Sequence, residues 1–400
     1  MTKHDLLRLA EDLEVGRLDA ESAQKLAAKA LPKNPWLQQA SQLVAEAQTD
    51  YADGRTTRAR AAATIADAYL RTWTRTSLQR WALPGGGDTV LDWRARALAV
   101  LTSIEADAGR EQSAAELRHA SDQVLLGMRD SAPARLAISA TAAERALRQG
   151  RADEAVTIMQ ATLQLPALDE SRRAAAQALL ARALQDAGRV AEGIAALEAS
   201  KQSFLRAGRP TAGLVADEER AVHLLQTGDK VAARALLTEV AEAAAAGGQD
   251  GLEANARLRL GLLGSDVGER SESARQFQLA AKAARREGDY AKIVGALRNA
   301  ANEMRRQGDF ADAERLLNEA IAINTTTPAV GLELAKAKYV FAFMRVQQHR
   351  FDEARRFLDD AESTFQRRLD ELESLENPPL REELQGQLRQ VAALRETMSR

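Results

Sequence analysis

A glycine followed by a charged residue recurs along this chain at a nearly constant interval. The pairs are Gly54-Arg55, Gly109-Arg110, Gly150-Arg151, Gly188-Arg189, Gly228-Asp229, Gly268-Glu269 and Gly308-Asp309, separated by 55, 41, 38, 40, 40 and 40 residues. His349-Arg350 continues the series 41 residues later, with histidine in the glycine place. A period near 40 over a chain of 400 residues points to a helical repeat array. It overrides the two or three domains that length alone suggests.

The columns around this anchor carry the pattern further. Seven residues before it stand Ala47, Thr102, Ala143, Ala181, Ala221, Gly261, Ala301 and Ala342. Five after it stand Ala59, Ala114, Ala155, Gly193, Ala233, Ser273, Ala313 and Ala354. Twelve after it stand Ala66, Ser121, Thr162, Ser200, Val240, Ala280, Ala320 and Ala361. These three columns are small. The column nine after the anchor is mostly apolar and larger: Ala63, Arg118, Met159, Leu197, Leu237, Phe277, Leu317 and Leu358. Two antiparallel helices joined by a tight turn approach closely only where the touching residues are small, and a larger residue then fills the next groove. Glycine at the turn takes positive φ and caps the first helix.

Composition agrees with helix throughout. Hydrophobic residues make up 45% of the chain and charged residues 28%, enough apolar material to exclude wholesale disorder. Alanine dominates, aromatic residues are 4%, and no convincing alternating strand segment occurs. Net charge is -2, without the basic excess of a nucleic-acid binder. There are no cysteines, which excludes disulfides, thiolate nucleophiles and Cys-type metal sites. No apolar run is long enough to span a membrane, and the first twenty residues lack the uninterrupted apolar stretch of a signal peptide. The expectation is a cytoplasmic protein with no nucleic-acid partner and no membrane insertion.

The columns and the turn resemble the tetratricopeptide repeat family. GDFADAERLLNEAIAIN at 308–324 and GRADEAVTIMQATLQLP at 150–166 match it best. The resemblance covers about residues 40–375 in about eight copies. The longer period makes this a TPR-like pattern. Leu184, Leu224 and Met304 stand where the family prefers tyrosine, and the closing proline is displaced (Pro166, Pro328) or absent. The resemblance implies an all-α fold, a right-handed α-solenoid of about eight helical hairpins with terminal capping helices.

The array is expected over residues 37–376. Residues 1–31, around Gly16-Arg17, read as an N-terminal capping hairpin, followed by Pro32 and Pro35. At the other end Asn377-Pro378 is a helix start, with Asn as N-cap and Pro at the first position. Leu380, Leu384, Leu388, Val391 and Leu394 then form one apolar stripe. Residues 377–400 are expected to cap the last repeat, with homodimerisation as the alternative use of the stripe. The long interval from Gly54 to Gly109 holds an insertion at 71–93 with Trp73, Trp81 and Trp93, a secondary interaction site or groove filler. Its glycine run has no Gly-Lys-Ser/Thr and is no phosphate loop.

Catalytic chemistry is not legible. His4, His119, His223 and His349 form no metal-ligand cluster, and no nucleophile–base pattern stands out. The chain is expected to be non-catalytic, with no cofactor and no metal. In the family, contacts to a bound peptide lie thirteen, ten, six and three residues before the turn. The resemblance therefore implies a concave peptide-binding face at Arg298, Asn302, Arg305, Lys336 and Tyr339. Arg298, Asn302 and Lys336 partly match the clamp by which some members grip a peptide carboxylate, while Val340 departs from it. The implied function is a scaffold or adaptor for a protein or peptide partner. The alternative is a ligand- or peptide-responsive sensor acting through a partner protein.

Overall fold

The computed structural model describes residues 6–29, 34–74, 87–128, 130–166, 168–323, 327–371 and 378–399. Nineteen α-helices and no strand occur among these residues. The first hairpin is α1 (Leu6–Glu14) and α2 (Ala20–Lys29). Eight further hairpins follow, each with a helix A and a helix B. They are α3 (Asn34–Ala52) with α4 (Thr56–Thr74), α5 (Gly87–Asp107) with α6 (Glu111–Leu126), α7 (Ala132–Arg148) with α8 (Ala152–Leu163), and α9 (Glu170–Asp186) with α10 (Val190–Arg206). Then come α11 (Pro210–Gln226) with α12 (Lys230–Ala246), α13 (Asp250–Asp266) with α14 (Arg270–Glu287), α15 (Tyr290–Gln307) with α16 (Phe310–Ile321), and α17 (Pro328–Gln347) with α18 (Phe351–Glu371). The last helix is α19 (Pro378–Ser399). The fold is all-α, an α-solenoid of helical hairpins.

Every anchor turn has the expected left-handed residue. The glycines run from φ 70° at Gly150 to φ 90° at Gly308, and His349 takes φ 58°. His349 is the one non-glycine residue in this region among the described residues. The reason is the way each helix A ends. The amide after the left-handed residue reaches back five residues to a carbonyl of the last helical turn, as in Asp309 N to Met304 O at 3.0 Å and Arg350 N to Arg345 O at 2.9 Å.

The structure adds a half-step that the 40-residue reading misses. Gly208, Gly248 and Gly288 are also left-handed, at φ 69°, 64° and 81°. They close helix B just as the anchor glycines close helix A, with Gln249 N to Ala244 O at 2.8 Å as one instance. From Gly188 to Gly308 the left-handed glycines therefore fall every 20 residues. Each of α9 to α13 is a 17-residue helix, followed by a three-residue turn. The signal was present in the sequence as glycines midway between the anchors.

The columns account for the packing. Every residue of the three small columns is buried except Thr102, which is half-buried. In the larger column Met159, Leu197, Leu237, Phe277, Leu317 and Leu358 are at most 1% exposed, and Arg118 is exposed.

The chain divides into two compact units, Met1–Ala216 and Asp217–Arg400. In the first, Tyr51, Ile65, Tyr69 and Ile104 centre a core shared by α1 to α5, with Trp93 packed against it. The side chain of Trp73, at the end of α4, and all of Trp81 lie outside the described residues. Smaller cores follow around Leu98 and Leu125, then around Met159 and Leu184. In the second unit, Phe277, Leu297, Leu317 and Phe341 belong to one core. Leu358 and Phe365 belong to another, which buries Leu384, Val391 and Leu394 of α19, with Leu380 and Leu388 at its margin.

Candidate functional site

Helices α15 and α17 are the A helices of consecutive repeats and pack against each other. Arg298, Asn302 and Arg305 recur at helical spacing along one, Lys336, Tyr339 and Phe343 along the other. All six are half-buried. Glu333 connects the two helices: its carboxylate accepts from Arg298 Nη2 at 3.2 Å and from Lys336 Nζ at 2.8 Å. Gly295 makes room for it, because a β-carbon there would stand 3.1 Å from Glu333 Oε2. Lys336 also pairs with Glu383 of α19 at 2.6 Å. Arg305 donates to Asn302 Oδ1 at 2.9 Å and to Gln347 Oε1 at 2.6 Å. Its guanidinium lies 4.5 Å from the centre of the Phe343 ring.

The electrostatics follow from these contacts. Burial works against the Lys336 ammonium, but the hydrogen bonds and charges of Glu333 and Glu383 together outweigh it and raise its pKa. Burial lowers the pKa of Arg305, and the neighbouring Arg306 lowers it further. Burial raises that of Tyr339, against the pull of Arg305. Arg298 Nε is buried and has no hydrogen-bond acceptor. The structure thus brings the five expected residues onto two adjacent helices. It also fills much of their hydrogen-bonding capacity with the chain's own Glu333, Glu383 and Gln347, which the turn-anchored positions do not include. Glu383 is 47 residues from Lys336, so no local spacing rule reaches it.

A concavity lies in the first unit. A cleft of about 450 Å³ opens between α5, α6, α7 and α8. Its wall includes Thr102, Arg118, Ser121 and Thr162, members of the repeat columns. Helix α4 lies along α5, and α8 along α9, but α6 does not lie along α7. Arg118 stands where six of the other seven repeats place Met, Leu or Phe, and it lines this cleft, exposed, instead of filling a groove.

Among the described residues no group of three or more His, Asp or Glu side chains could hold a metal ion. No helix there is long and apolar enough to cross a membrane.

No family model matches this chain, and no curated protein matches it. Solved structures do. The apo form of RapI is 11% identical and superposes with a TM-score of 0.53, over 90% of this chain and 98% of that one. Aspartyl phosphate phosphatase F from Bacillus subtilis is 10% identical, with a TM-score of 0.50, over 93% of this chain and 95% of that one. Likeness at such low identity concerns the fold. Together with the small packing columns and the left-handed turns, it gives this chain a TPR-like helical-repeat fold.

Proposed function

We propose that the chain is a non-catalytic interaction module that takes a peptide or helix of a partner protein on the A-helix face of α15 and α17. Arg298, Asn302, Arg305 and Lys336 supply donors, and Tyr339 and Phe343 supply aromatic surface. The observation that carries this reading is Lys336, held by Glu333 and Glu383 beside Arg298 of the neighbouring helix. Glu383 is the more exposed of the two carboxylates on Lys336. A carboxylate of the partner takes its place, through charge-assisted bonds of the same kind.

The test is affinity capture from native lysate with wild type beside a variant carrying Arg298→Ala, Asn302→Ala, Arg305→Ala and Lys336→Ala. Circular dichroism establishes that the variant is folded. The captured protein is then purified and titrated against both. Loss of at least tenfold in affinity with the helical signal unchanged supports the site. Equal affinity for both removes it. Glu383→Ala is expected to tighten binding, because it removes the internal competitor.

A further inference from the structure

The cleft between α5, α6, α7 and α8 goes beyond that reading, since it lies in the first unit and shares no residue with the α15–α17 face. We propose that it is a binding site for a small monocarboxylate with an apolar body.

The cleft lies where one repeat puts a charged residue into the larger column. Six of the eight repeats fill the larger column with a fully buried Met, Leu or Phe. Here the residue is Arg118, which is exposed, and the small residue opposite it is replaced by Thr102. A leucine at 118 would bury apolar side-chain area that the arginine leaves in solvent. The array forgoes that stabilisation at this one groove, and α6 stands off α7. The resulting volume falls within the range usual for small-molecule sites, roughly 300–1,000 Å³.

The wall chemistry selects the ligand. Leu125, Ile138, Ile158 and Leu165 are apolar. The hydroxyls of Thr102 and Thr162 donate to carbonyls of their own helices, Leu98 O and Ile158 O, each at 2.8 Å. They do not call for a polar partner; Ser103, Ser121 and Ser139 add further small hydroxyls to walls whose larger uncharged residues are apolar. Three guanidiniums reach the cleft. That of Arg145 donates to Asp107 at 2.6 Å, a carboxylate it shares with Arg148 outside the cleft at 4.0 Å. Arg118, Arg135 and Asp122 line the cleft and form no ion pair among the described residues. Two positive charges and one negative leave a single net positive charge. A monoanion matches it, whereas a phosphoryl dianion would overcharge a site with these walls. Guanidinium is the side chain best shaped for carboxylate, through paired N–H donors.

The experiment is isothermal titration of the full chain with saturated monocarboxylates from hexanoate to dodecanoate and with 4-phenylbutyrate. Controls are acetate, which has the charge without the body, and decanol and decyltrimethylammonium, which have the body without the negative charge. One-to-one binding of a chain-bearing carboxylate, at least tenfold tighter than every control, is expected. Arg118→Leu together with Arg135→Ala is expected to weaken it at least tenfold. Arg118→Leu alone restores the column residue, fills the groove and raises the melting temperature, so loss of binding there is not loss of fold. Lys336→Ala leaves this binding unchanged, which separates it from the partner site. No binding by any carboxylate in the series overturns the proposal. So does decanol binding as tightly as decanoate, or binding that survives the double substitution.

Discussion

The ring of Phe277 lies against the bare backbone of Gly261, so closely that a β-carbon at 261 would stand 2.6 Å from its Cδ1 and Cε1 atoms. Ser273 adds a hydrogen bond to Gly261 O at 2.6 Å. The repeat with the largest residue in the larger column thus has the smallest residue opposite it. Gly261→Ala is expected to destabilise the chain by about 2–3 kcal/mol, the upper range for overpacking a tight core. Phe277→Leu in the same chain should recover part of the loss. Urea midpoints of the two single variants and the double give the coupling, which should be about 1 kcal/mol or more. Additive effects would show that the ring does not set the size limit at 261.

His349 holds a left-handed backbone that costs a β-carbon-bearing residue about 1–2 kcal/mol. His349→Gly should therefore raise stability by about 1 kcal/mol, although it removes the edge contact with Phe351 at 5.9 Å. Gly308→Ala should lower stability by a similar amount, through backbone strain alone, because nothing lies within 4 Å of the added carbon. The two substitutions, followed by thermal melts, must shift in opposite directions.

Acid should unfold the first unit partly through Glu105. Arg110, which donates at 3.0 Å, and Arg60 hold its carboxyl down to about 2 against burial, which pushes the other way. An unfolded glutamate titrates near 4.3. The stabilisation from this group is therefore complete above about pH 4.3 and is lost as pH falls through the interval down to about 2. Glu105→Gln should cost about 2 kcal/mol at neutral pH, as for hydrogen bonds to a charged group. It should also flatten the stability profile across that interval. Urea midpoints measured between pH 2 and 7 would show a parallel acid limb if Glu105 plays no part.

Lys336 should be a slow target for acylation. The neutral amine is the nucleophile, and two carboxylates keep the ammonium protonated above the usual lysine range. Glu333→Gln with Glu383→Gln should speed modification of Lys336 several-fold, read by peptide mass spectrometry after brief acetic anhydride treatment. An unchanged rate would mean that burial alone protects it.

Much of the architecture is local, and local physics was readable along the chain. A helix capped by a left-handed residue needs glycine at a fixed place, so the glycine spacing located eight turns, including the one where His349 substitutes. Close helix approach needs small residues, so Ala143, Ala181 and Ala301 mark buried positions in the sequence itself. The 20-residue half-step was also visible at Gly208, Gly248 and Gly288, but the period of the A-helix turns masked it.

The sites depended on tertiary structure. Arg298 and Glu333 are 35 residues apart, and Lys336 and Glu383 are 47 apart; their meeting depends on how neighbouring helices seat and how far side chains reach. The sequence alone determined that Arg118 breaks its column. That a cleft lies there was decided by α6, which could have closed on α7 and instead stands off it. Turn chemistry and residue size act within one hairpin and leave a periodic trace. Charge pairing and cavity shape depend on several helices at once and leave none.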